Sequence, residues 1–229
     1  MSSAYGKIDR PKECNLSKLE SLLPIESINK SNKIVSVHSI SSILQKFTDE
    51  SKLISYLQSL LNKEIEAGNT YPQKFPLNDT EFKNYFLSAD AFVVLNSEKA
   101  ISNDLFNNLA ENILGIFYIK PNFPGRCSHI CNGGFITSSL HRNQGIGTVM
   151  ALAFIEIAPL LGYKASMFNL VFESNIASVR LWRSLGFKEI GRVPNAGLLI
   201  KNKEITEKTN ADIEEEEYVD AIMFYYSFT

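Results

Sequence analysis

The stretch HRNQGIGTVM, His141 to Met150, sets an arginine and two glycines directly before a long apolar run. Glycines in such a turn let backbone N–H groups approach a bound group closely. If a helix follows, its N-terminus favours an anion at that place. The turn therefore reads as the seat of an anionic ligand, and the rest of the chain must say which anion it is and what is attached to it.

Length and composition narrow the choice. A chain of 229 residues with 45% hydrophobic content suits one globular domain, or one with an added subdomain. The formal net charge of -2 gives no global basic field, and no local basic patch stands out, so a nucleic-acid partner is not expected. No stretch reaches the roughly 18 apolar residues of a membrane span, so no membrane partner is expected either. The first twenty residues lack an apolar h-region and mix acids with bases, which points to a cytoplasmic protein and leaves a mitochondrial pool open. The three cysteines, Cys14, Cys127 and Cys131, suit a reducing compartment better than a disulfide framework. RCSHIC invites a metal reading, but on a strand Cys127 and Cys131 would lie about 13 Å apart, too far for one ion or a disulfide. No metal is expected.

Along the chain, residues 1–33 read as a polar, irregular extension, and KIVSVHSI (33–40) as a strand by its alternation. Leu53, Tyr56, Leu57, Leu60 and Leu61 follow helical spacing and form a core-facing stripe. GNTYPQKFP (68–76) breaks that helix, and a capping box of Asn78 and Glu81 starts another. AFVVLN (91–96) and ILGIFYIKP (113–121) are apolar runs of strand length, separated by the polar excursion 97–112. The second half gives a strand over CSHICNGGFITSS (127–139), the glycine turn, a helix near 148–161 and a strand over KASMFNLVF (164–172). This strand–helix–strand order implies parallel pairing. Asn175 then caps a helix carrying Ser178, Leu181, Trp182 and Leu185, which Gly186 stops. FKEIGRVP and YVDAIMFYYSF complete a strand-rich end, with the charged run 201–217 between them as a solvated loop.

The turn fits neither common nucleotide fingerprint. QGIGTVM lacks the third glycine of G-x-G-x-x-G, KASMFNLVF carries no acid, and there is no G-x-x-x-x-G-K-[ST]. What stands here is R-x-x-G-x-G, as Arg142, Gly145 and Gly147, followed by N-x-x-S-x-x-L-W-x-x-x-G-F from Asn175 to Phe187. That pair of motifs resembles the GCN5-related N-acetyltransferase (GNAT) superfamily. AGNTYPQ, FYIKPN, RCSHICNGGF, APLLGYK and FNLVF extend the likeness to the fungal acetyltransferases that detoxify azetidine-2-carboxylate and other proline analogues.

The resemblance implies an α/β (α+β) fold, with a central mixed, largely antiparallel sheet splayed at the acetyl-CoA cleft and flanked by helices, over residues 34–229. It implies acetyl-CoA as co-substrate and N-acetylation of small cyclic imino acids such as azetidine-2-carboxylate and cis-4-hydroxyproline, with pyrroline-5-carboxylate or its open-chain semialdehyde as a further acceptor, in detoxification and oxidative-stress tolerance. The anion at the turn is then the CoA pyrophosphate, held by Arg142, Asn143, Gln144, Gly145, Ile146, Gly147 and Thr148, with Asn175 and Ser178 beside the pantetheine arm. Asn132 and Asn169 are the catalytic-site candidates, gripping the carboxylate and nitrogen of the imino acid with Leu170. The competing reading of each asparagine is a bond to neighbouring backbone, because an unpaired amide in a buried strand is costly.

Trp182 stands where many superfamily members have a tyrosine that protonates the departing thiolate. No glutamate base lies in CSHICNGG; His129 is the nearest candidate, but strand alternation puts it opposite Asn132, so a water relay or a backbone carbonyl is preferred as base, with Glu173 and His141 weaker still. The glycines of CNGGF would tolerate a bulge that aims an N–H at the oxyanion. A protein or peptide acetyltransferase and a non-catalytic CoA-binding module are the alternative functions, and a homodimer is left open.

Overall fold

The segment that presents Asn132 is a strand held by side chains on both of its faces. In the computed structural model, which describes residues 2–3, 6–7, 11, 14–46, 49–96, 107–201 and 215–229, the strands are β1 (Ser2–Ser3), β2 (Gly6–Lys7), β3 (Ile25–Ile28), β4 (Ile34–Ser39), β5 (Asp90–Asn96), β6 (Ile113–Pro121), β7 (Ile130–Thr137), β8 (Ala165–Phe172), β9 (Lys188–Ile200) and β10 (Glu216–Ser227). The helices are α1 (Leu16–Leu22), α2 (Ile40–Leu44), α3 (Glu50–Ala67), α4 (Asp79–Phe86), α5 (Leu109–Asn112), α6 (Ile146–Leu160) and α7 (Ile176–Ser184). β1 and β2 form a small ribbon; the other eight strands make one mixed sheet in the order β3-β4-β5-β6-β7-β8-β10-β9. Its ladders from β3 to β7 are antiparallel, as is β10–β9, and β7–β8 is parallel.

The chain divides into two compact units. The first comprises residues 1–60, 77–167 and 227–229, and the second 61–76 and 168–226. In the first, a row of rings runs across one sheet face: Phe92 stacks on Phe117 at 5.0 Å, Phe117 on Phe135 at 5.6 Å, and Phe135 meets Phe154 of α6 edge-on at 5.4 Å. Helix α6 has an apolar stripe at Ile146, Val149, Met150, Ala153, Phe154 and Ile157, all buried; apart from Ala153, each side chain contributes about 1.5–3 kcal/mol. On the opposite face Phe86 of α4 meets Tyr118 of β6 edge-on at 5.1 Å. In the second unit, Trp182 of α7 packs at 4.5 Å from Phe168 and 5.0 Å from Phe187, and Phe187 at 4.7 Å from Tyr226. A neighbouring cluster joins Phe172, Leu199 and Ala221.

Several sequence expectations take this form. α4 opens with the capping box, the Glu81 N–H donating to Asn78 and the Asn78 N–H to Glu81. Leu53, Leu57, Leu60 and Leu61 are buried on α3. Gly186, at φ +83, follows α7.

Others do not. Residues 16–28, read as irregular, form α1 and the edge strand β3, because Asn15 caps α1 through the Lys18 N–H and β3 pairs with β4 from Ile25↔Val37 to Ile28↔Ile34. The strand expected from Cys127 begins only at Ile130, since Pro124 and Gly125 turn the chain into a 3-10 helix over Gly125–Cys127. Of the polar excursion 97–112, residues 97–106 lie outside the described residues, and Leu109–Asn112 is the short helix α5. Of the charged run, 202–214 lies outside them, and Glu216 and Glu217 already belong to β10.

His38 lies buried on β4 with Nε2 2.8 Å from the Ser36 hydroxyl. Burial, then the charge of Lys46, pulls its pKa from 6.5 down to about 4. Below pH 6.5 the unfolded chain therefore takes up a proton that the folded chain refuses. Stability is expected to fall as pH drops from about 6.5 to 4 and to level off below, with up to one proton of slope. Urea midpoints across that range check this, and His38→Gln should flatten that part of the slope.

Candidate active site

The glycine turn belongs to the first unit. A 3-10 turn over Ser139–His141 ends at Arg142, and Asn143 and Gly145 both take left-handed backbone, at φ 64 and 81. Gly145 is the N-cap of α6, which no side chain caps. The helix starts at Ile146, two residues before the expected Thr148, because Gly145 itself makes the turn. The first N–H groups of a helix have no carbonyl within it to bond. Here those of Ile146, Gly147 and Thr148 carry the positive end of the helix dipole without a capping oxygen.

The turn is braced by a residue that the sequence reading passed over. The Lys30 N–H donates to the Gln144 carbonyl at 2.9 Å, and a Cβ on Gly145 would come within 2.9 Å of the Lys30 side chain. Lys30 sits in the β3–β4 connection, which Asn29 shapes by accepting from the N–H groups of Ser31 and Lys33. The signal lay in the asparagines of INKSNK, a tight turn in a stretch read as irregular. His141 holds the turn from the other side, its Nε2–H donating to the Ala110 carbonyl at 2.9 Å.

Asn132 lies on β7, half-buried. Its Oδ1 accepts from the Gly133 N–H at 2.8 Å and its Nδ2 donates to Asn122 Oδ1 at 3.3 Å. The local bonds expected of a structural asparagine are thus present, yet an amide has two N–H donors and two acceptor lone pairs, and neither end is exhausted. β7 pairs with β6 from Gly115↔Thr137 to Pro121↔Cys131 without a break. With β8 it pairs only at Ile130↔Ala165 and Cys131↔Ser166. From Asn132 onward β7 is laddered on one edge.

The expected bulge at CNGGF is absent, and the glycines are explained by space. A Cβ on Gly134 would lie 2.5 Å from the Tyr118 ring, and one on Gly133 2.9 Å from the rings of Phe135 and Phe154. His129, the candidate base, is exposed in the turn before β7 and donates from Nδ1 to the Arg126 carbonyl at 3.2 Å, so strand alternation does not apply to it. Cys131 is buried, which raises its thiol pKa to about 12, while Cys127 is exposed. Among the described residues no group of three His, Cys, Asp or Glu side chains is placed to hold a metal ion.

The remaining candidates belong to the second unit. Asn169 is half-buried on β8, and Leu170 beside it is 43% exposed, a large apolar side chain left open on a strand. Asn175 caps α7, its Oδ1 accepting from the Ser178 N–H at 3.2 Å. Ser178 Oγ accepts from the Trp182 indole N–H at 3.0 Å, which leaves its hydroxyl proton and one lone pair for other partners. Glu173 is tied to Arg192 at 2.6 Å and has a structural role.

A glycine turn opening an uncapped helix is a seat for an anionic group such as a pyrophosphate. The chain belongs to the acetyltransferase (GNAT) family, whose sequence pattern matches residues 63–187. It is 40% identical over 185 residues to N-acetyltransferase aca1 of Schizosaccharomyces pombe, covering 79% of this chain and 82% of the relative. Its fold is similar to a GCN5-related N-acetyltransferase from Kribbella flavida, with a TM-score of 0.62 at 22% identity over 84% of this chain and 97% of the other. It is also similar to a phosphinothricin acetyltransferase from Sinorhizobium meliloti in complex with acetyl-CoA, with a TM-score of 0.62 at 12% identity over 84% and 88%. The protein is an N-acetyltransferase that takes its acetyl group from acetyl-CoA.

Two predictions follow from this geometry. Gly147→Val should weaken acetyl-CoA binding severely, because a branched side chain stands over the first N–H groups of α6, and Arg142→Ala should cost about ten- to a hundredfold, the worth of one charge-assisted hydrogen bond. Calorimetry on the folded variants measures both, and unchanged affinity in Gly147→Val would remove the turn from the cofactor site. Trp182→Phe loses the indole bond to Ser178 and packing in the Phe168–Phe187 cluster. It should cost about 1–3 kcal/mol in urea unfolding while keeping most of the turnover, since an indole has no proton to give a thiolate.

Proposed function

We propose that this enzyme is a cytoplasmic acetyltransferase acting on the ring nitrogen of small cyclic imino acids, azetidine-2-carboxylate and cis-4-hydroxyproline among them. What supports this reading is the resemblance of the segments AGNTYPQ, FYIKPN, RCSHICNGGF, APLLGYK and FNLVF to the fungal proline-analogue acetyltransferases, a resemblance that makes Asn132 and Asn169 the candidates for the acceptor site. The 40% identity to a fungal N-acetyltransferase supports it.

In this reading the CoA pyrophosphate rests on the N–H groups of Ile146, Gly147 and Thr148, with Arg142, Asn143, Gln144 and Gly145 shaping the turn. Asn175 Nδ2 and the Ser178 hydroxyl serve the pantetheine amide. Asn132 and Asn169, with Leu170, hold the imino acid. The neutral nitrogen attacks the thioester carbonyl, forming the N–C bond. A backbone N–H on the edge of β7 that β8 leaves unladdered stabilises the oxyanion. The C–S bond then breaks, the thiolate leaves, and the nitrogen gives its proton to water, His129 being turned away to the Arg126 carbonyl.

A thiol-release assay with acetyl-CoA tests the reading against cyclic imino acids, open-chain amino acids and lysine peptides. Turnover of the imino acids above the others is expected; a preference for peptides would replace it with the protein acetyltransferase reading. Asn132→Ala and Asn169→Ala should each lower kcat/KM for the imino acid by tenfold or more, roughly the cost of a lost hydrogen bond to a charged group. Acetyl-CoA affinity by calorimetry should hold nearly constant in both.

A further inference from the structure

Lys120 is out of keeping with its strand. It ends the apolar run ILGIFYIK of β6, whose other members from Ile113 to Ile119 are all buried. Its ammonium sits 4.2 Å from the ring centroid of Tyr85 and 4.2 Å from that of Tyr118, and donates to the Tyr85 carbonyl at 3.3 Å. The two phenols hydrogen-bond each other at 3.2 Å, and their rings meet edge-on at 5.8 Å, fixing the walls of the clamp. No carboxylate among the described residues pairs with it. Burial lowers its pKa from 10.5 to about 8, so at neutral pH it is still mostly an ammonium.

Two ring faces and one carbonyl orient a cation but do not neutralise it. A partly buried charge without a counter-charge is a standing cost unless a ligand supplies the opposite sign. The position says which ligand. Lys120 is directly opposite Asn132 in the β6–β7 ladder, so the two side chains leave the same sheet face with Cβ atoms about 4.5–5.5 Å apart. Tyr118, two residues earlier on that face, lies over Gly134. The clamp therefore opens beside the asparagine assigned to the acceptor, on β7 where β8 no longer pairs.

We propose that Lys120, held between Tyr85 and Tyr118, binds the carboxylate of the amino acceptor and makes the enzyme selective for amines that carry one next to the nitrogen. This rests on the imino-acid reading for the identity of the acceptor, while the charge requirement itself is independent of ring size. Asn132 then orients the nitrogen side of a ligand whose anionic end is fixed one ladder position away.

The test compares azetidine-2-carboxylate with its carboxamide in wild type, Lys120→Met and Lys120→Arg. The nitrogens of the two compounds differ in basicity, but that difference cancels when the acid-to-amide ratio of kcat/KM in a variant is divided by the ratio in wild type. In Lys120→Met the ratio should fall about ten- to a hundredfold, through KM for the acid and with kcat within a few fold, and Lys120→Arg should restore part of it. Equal losses for acid and amide, or an unchanged ratio in the folded variant, would overturn the proposal. Should Lys120→Met not fold, Lys120→Gln takes its place, read in the same way. If wild type ignores cyclic imino acids but acetylates open-chain amino acids over their amides, and Lys120→Met abolishes that preference, the imino-acid reading fails and the carboxylate site stands.

Discussion

The constraint on which the rest of the structure depends is the early end of the β7–β8 ladder. Two residue pairs, Ile130↔Ala165 and Cys131↔Ser166, join the strands, and they are enough to fix the parallel register and the placement of α6 in the crossover. Beyond them β7 keeps a complete ladder with β6 alone. A strand in the middle of a sheet ordinarily spends its backbone groups on two neighbours. Past that point the ladder with β6 and the ring row behind it hold β7 in place. Phe135, locked between Phe117 and Phe154, belongs to the same strand as Asn132 and shares its rigidity.

The glycine turn into α6 was legible in the sequence because backbone chemistry limits the residues that can make it. A left-handed turn into an uncapped helix wants glycine, and Gly145 supplies it; that turn alone is a weak signal, which R-x-x-G-x-G together with the motif from Asn175 to Phe187 narrows. The cap asparagine at 175 was legible for the same reason. What was not legible depends on contacts across strands and on short irregular turns. INKSNK gave no periodic signal, so the brace from Lys30 to Gln144 was invisible although the edge strand beside it is regular. The 3-10 turn at Gly125–Cys127 overrode a continuous alternation from Cys127 and removed His129 from the strand it was read on. The glycines of CNGGF were read as freedom for a bulge, whereas the structure uses them as room for the Tyr118 and Phe154 rings. Lys120 was in plain view inside an apolar run, but its meaning comes from Tyr85, which only the packing of α4 on the sheet brings to it.

Trp182 shows how one substitution can move a residue from chemistry to architecture. Where a tyrosine would present a hydroxyl, the indole sends its N–H to Ser178 and its ring into the Phe168–Phe187 cluster. The proton of the leaving thiol must then be found elsewhere. A thiol of ordinary pKa departs as an anion at modest cost, so the loss is one the reaction can bear.

The hydrogen bond from the Lys30 N–H to the Gln144 carbonyl bears on modularity. The family pattern spans 63–187, yet the peptide group that buttresses the glycine turn comes from a connection well before it. A fragment cut to that span, or a chimera that grafts it onto another sheet, would keep every glycine of the turn and lose the peptide that holds them in place. The smallest transplantable unit of this enzyme is therefore larger than its recognisable signature, and begins no later than the edge strand at Ile25.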